Sequence, residues 1–106
     1  MSAYAVALIR ETNFNDDVVE YLRRIDDTLK PYSGRYLIHG GPYKPLEGTW
    51  AGDLVMIEFP SVEQAEAWYA SDAYSAIRRL RMNNTVGDVL LVHGVKEGHK
   101  AVDLLS

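Results

Sequence analysis

The run Ala3-Tyr4-Ala5-Val6-Ala7-Leu8-Ile9 is apolar at both parities of an extended chain. Ala3, Ala5, Ala7 and Ile9 fall on one side, Tyr4, Val6 and Leu8 on the other. A strand with one solvated face alternates with polar residues, and this one does not. The same double parity recurs in Tyr36 and Ile38 against Leu37, in Val55, Ile57 and Phe59 against Leu54 and Met56, and in Leu90 and Val92 against Val89 and Leu91. Four such strands need cover on both faces of a sheet, and the remaining sequence supplies helix for only one. The second face calls for another copy of the chain, which predicts a homodimer or larger assembly.

Outward from the first strand, Asn13, Asn15 and Asp16 offer caps to a helix carrying Val18, Leu22, Ile25 and Leu29 as one apolar stripe. Pro31 and Gly34 end it ahead of a second strand at 35–40. Residues 41–52 are dense in Gly and Pro and too long for a tight turn, so they read as an arm, lid or interface piece. A third strand at 53–59 stops at Pro60, and Ser61-Val62-Glu63-Gln64 is a capping box that opens a second helix. Ser71 or Asp72 caps a short third helix with Tyr74, Ile77 and Leu80, and Asn83, Asn84 and Gly87 break the chain before a last strand at 88–94. The order β-α-β-β-α-(α)-β predicts an α+β, ferredoxin-like fold. Its four-stranded antiparallel sheet has the order 4-1-3-2, with both helical layers on one side. Two such sheets with bare sides inward pair as a dimeric α/β barrel, with residues 1–95 as the single domain and 96–106 as a C-terminal tail.

Composition bounds the function. A chain of 106 residues, 47% hydrophobic and 25% charged, accommodates one globular domain. A net charge of −4 argues against nucleic acid or an anionic membrane as partner; Arg78, Arg79 and Arg81, the nearest approach to a basic stripe, read as a solvated helix side. The absence of cysteine rules out disulfides, thiolate metal sites and a Cys nucleophile. The N-terminal apolar run is too short to span a bilayer and has no basic residue ahead of it, so neither a membrane segment nor a signal peptide is expected, and the default compartment is cytoplasmic.

Ionisable residues at strand positions are the candidates for chemistry. Parity assigns Arg10, Arg35, His39, Glu58 and His93 to the face away from the helices. Taking strands one and three as parallel neighbours, and strand two as antiparallel to strand three, Arg10, Glu58 and Arg35 meet at one end of the sheet as a carboxylate between two guanidinium groups. His39 and His93 fall at the other end on opposite edges with Tyr4 between them, about 14 Å apart and too far to share a metal. No metal-ligand spacing or phosphate loop is present, so no cofactor and no metal is expected. The charged cluster fits two readings. In one it is a pocket for a small anionic or aromatic acid in a cofactor-independent enzyme, with Glu58 and His39 as catalytic proton carriers and Arg35, Arg10, Trp50, Tyr74 and Tyr4 as substrate-binding residues. In the other the protein is a non-catalytic binding or assembly module whose buried charges fix the dimer. A cavity of about 300 Å³ or more beside Arg35 separates the first from the second.

The segments Leu29-Lys30-Pro31-Tyr32-Ser33-Gly34-Arg35-Tyr36-Leu37-Ile38-His39-Gly40-Gly41, Leu46-Glu47-Gly48-Thr49-Trp50, Val55-Met56-Ile57-Glu58-Phe59-Pro60-Ser61 and Ala67-Trp68-Tyr69-Ala70-Ser71-Asp72-Ala73-Tyr74, with Gly87-Asp88, resemble the domain of unknown function 1330 family. The resemblance covers nearly the whole chain. It implies the dimeric α/β barrel superfamily and no particular activity, and draws attention to Arg35, Gly40, Gly41, Glu47, Glu58, Ser61, Trp68, Tyr74 and Asp88. The chain departs from the family pattern at His39, where arginine is commoner, and at His93, where an acidic residue is commoner.

Overall fold

A computed structural model describes residues 1–105. In chain order it comprises β1 (Ala3–Thr12), α1 (Asp16–Leu29), a 3₁₀ turn (Lys30–Tyr32), β2 (Arg35–His39), β3 (Asp53–Phe59), α2 (Val62–Ala70), α3 (Asp72–Met82), β4 (Thr85–His93) and a second 3₁₀ turn (Ala101–Leu105). The sheet order is β2-β3-β1-β4 and every neighbouring pair is antiparallel. This is the expected α+β arrangement.

Local chemistry explains the helix starts. The Asn15 side chain accepts the Val18 N–H at 3.1 Å, and Ser61 accepts the Gln64 N–H at 3.2 Å, so each satisfies a backbone donor that has no partner within its helix. Ser71 caps α3 through the Tyr74 N–H. The buried stripe of α1 is Val18, Tyr21, Ile25, Thr28 and Leu29; Leu22, expected inside, is 39% exposed and Tyr21 takes its place. β4 begins at Thr85, earlier than expected, because Thr85 and Val86 pair with Thr12 and Glu11. Gly87 is thus a strand residue. A Cβ there would run into the backbone of Leu8 and Ile9, which is why this strand position carries glycine.

Register assigns each side chain to a face. Ala5 lies opposite Ile57 and Leu91, and Ile57 opposite Tyr36, forming a row beneath the helices. The next row, Val6, Met56, Leu90 and Ile38, points away from them. The core lies between sheet and helices and centres on Ile25, Leu29, Ile57, Phe59, Trp68, Tyr74 and Ile77. No described element covers the other face, where Leu90 is 53% exposed.

Two features of the register overturn sequence expectations. First, β1 and β3 run antiparallel, with Tyr4 opposite Glu58, so Arg10 lies at the far end of β1 from Glu58. Second, the β2–β3 register shifts between Tyr36 and Ile38, leaving Leu37 as an extra residue. This bulge moves Ile38 into the outward row with Met56, and places His39 opposite Val55 on the helix side. His93 lies opposite Ala3, itself opposite Phe59, so it also belongs to the helix side. Neither histidine is on the uncovered face.

Candidate functional site

The expected group of Arg10, Glu58 and Arg35 divides into two ion pairs at opposite ends of the uncovered face. Arg35 donates to Glu58 Oε1 from Nη2 at 2.7 Å and from Nε at 2.9 Å, and the Tyr4 hydroxyl reaches Oε2 at 3.4 Å. Arg10 pairs instead with Asp88 at 2.7 Å. That hydrogen bond holds the Asp88 carboxyl below, and the Arg10 guanidinium above, their ordinary pKa values. The void beside Arg35, lined by Ser2, Ser33, Glu58, Phe59 and Pro60, measures about 110 Å³. That is below the ~300 Å³ at which ligand pockets begin.

Trp50 occupies a third place. Its indole N–H donates to the Gly52 carbonyl at 3.1 Å and its ring lies 5.7 Å from that of Tyr43. With Leu46 they line a bay of about 490 Å³ formed by the 43–50 loop and Leu54, a lining that includes neither Arg35 nor Glu58.

His39 and Tyr74 do come together, on the helix side. An outer bay of about 330 Å³ is lined by Phe14, Val18, Tyr21, Leu22, His39 and Arg81 among others. It adjoins a recess of about 80 Å³ that reaches Trp68, Tyr74, Tyr36 and Ile25, and the two share Ile9, Tyr21, His39, Val55 and Arg81 as walls. Tyr74 is buried rather than at a wet rim, and its hydroxyl lies 2.7 Å from that of Tyr21. The His39 ring stacks on Tyr36 with centroids 4.5 Å apart.

Three residues of this cleft lie outside the sequence-derived candidates: Tyr21, Tyr36 and Arg81. Arg81 follows Tyr74 by seven residues and Ile77 by four, which places it on the buried side of α3. Its neighbour Arg78 lies over Tyr69, whereas Arg81 lines the cleft. Partial burial works against the Arg81 charge, but the Tyr74 and Tyr21 oxygens outweigh it and its pKa is raised. Among the described residues Arg81 makes no ion pair with a carboxylate. Burial, reinforced by Tyr74, pushes the Tyr21 hydroxyl far above the ordinary tyrosine range, and burial does the same to Tyr36. These phenols are therefore hydrogen-bond donors at neutral pH and not bases.

Apolar walls, a charged guanidinium and neutral hydroxyls make the inner recess rich in donors, while Asp53, Thr12 and Thr85 add acceptors to the outer bay. The cleft suits a compact apolar molecule bearing a carboxylate or carbonyl oxygen. Among the described residues no three His, Asp or Glu side chains cluster to hold a metal, and no helix is long and apolar enough to cross a membrane.

Solved structures share the fold at low identity. A protein of unknown function from Rhodopseudomonas palustris superposes with a TM-score of 0.65 at 16% identity, covering 90% of this chain and 83% of that one. A dimeric ferredoxin-like protein of unknown function from Jannaschia sp. CCS1 gives 0.65 at 10% identity over 89% and 100% of the two chains. An ethyl tert-butyl ether D family protein from Bacillus halodurans gives 0.56 at 10% identity over 90% and 100%. No curated protein matches the chain in sequence. Residues 2–95 match the profile of the family described as domain of unknown function 1330, and the chain belongs to that family.

Proposed function

We propose that this protein is a homodimer that binds a small aromatic or branched acid in the helix-side cleft and acts on it without a cofactor. The observation that carries the reading is Arg81, a partly buried guanidinium on the wall of a largely apolar cleft, which makes no ion pair with a carboxylate among the described residues although Asp53 lines the same outer bay. Charges removed from water are ordinarily paired, so an unpaired one facing a cavity favours an anion there. His39, on the same wall, is the candidate proton carrier, and Tyr74 a binding residue. Arg35, Glu58, Tyr4 and Arg10 sit on the face that a second copy would cover, where their charges orient the two sheets. That the Jannaschia protein of the same fold is dimeric supports this assembly.

The test is a thermal-shift titration with small aromatic carboxylates on the wild type, Arg81→Gln and Glu58→Gln. A saturable rise in melting temperature is expected for the wild type and for Glu58→Gln, and should be lost in Arg81→Gln. If Glu58→Gln abolishes the response while Arg81→Gln keeps it, the ligand belongs at the uncovered face and this proposal is wrong.

A further inference from the structure

We infer that Tyr21, Tyr74 and Arg81 form an oxyanion site for an enolate, and that the substrate class is enolisable carbonyl compounds with a compact apolar body. This inference rests on the cleft being the ligand site. Two phenol hydroxyls carry two protons between them, and the 2.7 Å contact between Tyr21 and Tyr74 consumes one. Burial raises the pKa of the Tyr21 phenol, which stays a donor at neutral pH, and Arg81 can only donate. One hydroxyl proton is therefore left for an acceptor other than the paired phenol, beside a guanidinium whose charge these same two phenol oxygens stabilise.

Such a set serves an oxygen that gains negative charge better than one that already carries it. A hydroxyl donor polarised by its neighbour strengthens its bond as charge develops, the pattern by which preorganised dipoles stabilise enolates. His39 lines both the outer bay of about 330 Å³ and the recess of about 80 Å³ that reaches Tyr74, so a carbonyl compound seated in the bay meets His39 and turns its oxygen into the recess. The step balances without a co-reactant. An unprotonated His39 nitrogen takes the proton from the carbon next to the carbonyl, and the C–H electron pair becomes the new C=C bond. The carbonyl π pair moves onto oxygen, which receives the Tyr and Arg81 hydrogen bonds. Return of the proton to the same or a conjugated carbon completes an exchange or isomerisation, with nothing oxidised or reduced.

The probe for the oxyanion site is 4-nitrophenol, whose anion absorbs differently from its neutral form. Titrated with the wild-type protein, the bound phenol is expected to ionise at a pH at least one unit below that of free phenol, a tenfold preference for the anion. Arg81→Gln and Tyr21→Phe should each reduce that preference several-fold, while Glu58→Gln leaves it unchanged. Arg81 lies outside the hydrophobic core, so its variant remains informative if a tyrosine variant fails to fold. The proton-transfer half is read by NMR as deuterium exchange next to the carbonyl of phenylacetone in D₂O. The wild type should accelerate it, and His39→Gln should lose about 10²-fold or more of that acceleration. If aromatic carboxylates and 4-nitrophenol bind but the phenol shows no preference for its anion, the oxyanion site is refuted and the binding site stands. If neither binds, the cleft reading falls first.

Discussion

Tyr21 and Tyr74 join α1 to α3 through hydroxyls 2.7 Å apart, and the rings meet edge to face at 6.1 Å. Burial of Tyr21 in that arrangement has a pH signature. Both Tyr21 and Tyr36 have folded-state pKa values above the ordinary 10.0, chiefly through burial. Above that pH the unfolded chain gives up these protons while the folded chain keeps them, so the folded state binds more protons and loses stability as pH rises. The contribution is fully present below the unfolded value and disappears as pH climbs towards the folded one. Urea denaturation should therefore show stability falling above about pH 10. Tyr21→Phe, less stable at neutral pH by about 1–2 kcal/mol through the lost hydrogen bond, should show a shallower alkaline fall. An equally steep fall in that variant would mean that Tyr21 ionises freely.

The elements were legible where the chain obeys a period and obscure where it breaks one. Double parity marked all four strands, and the caps Asn15 and Ser61 marked two helix starts, because capping depends on residues adjacent in sequence. The bulge at Leu37 left no mark, since an extra Leu among Tyr, Leu and Ile is as apolar as its neighbours, yet it carries His39 to the other face. Arg10 was misplaced for a topological reason. The crossover through α1 makes β2 parallel to β1, the return to β3 reverses direction, and β3 must therefore run antiparallel to β1. Three arginines within 78–81 suggest a solvated helix side, whereas the four-residue spacing of Arg81 from Ile77 places it inward. Gly87 also read as a breaker, although it belongs to β4, and that assignment can be tested. Alanine there meets β1 backbone, which cannot move aside as a flexible side chain would. Gly87→Ala is expected to cost about 1–3 kcal/mol in urea denaturation. A neutral Gly87→Ala would show that β4 is not paired at this point.

The whole molecule is a thin slab, 47 × 36 × 19 Å, with a radius of gyration of 15.3 Å. A closed globule of this length has a radius near 13 Å. The excess reflects one sheet with one helical layer, extended by the 41–52 loop and the tail. On the uncovered face the middle row Ile38, Met56, Val6 and Leu90 is apolar, while the pairs Arg35–Glu58 and Arg10–Asp88 stand at the two ends. An apolar centre with charged ends is the anatomy of an interface. Size bears on what else takes part. Four strands about 4.8 Å apart and seven residues long at about 3.3 Å each present a flat area of roughly 450 Å². A stable interface takes about 800 Å² of accessible surface from each partner, so the segments flanking the sheet are candidates to extend the contact. The loop and tail expose further apolar surface, with Leu46 at 85%, Leu104 at 81% and Leu105 at 88% exposure. The wild type is therefore expected to scatter light as a particle of twice 11.9 kDa at micromolar concentration, with a melting temperature that falls on dilution. Met56→Lys places a charge at the centre of the apolar row and should give monomer. A chain ending at Gly94 keeps the sheet contact but loses the tail, so it should dimerise more weakly without becoming monomeric at high concentration. A wild type that remains monomeric at these concentrations would leave the double parity of the strands without its partner. If truncation has no effect on dilution behaviour, the loop alone completes the interface.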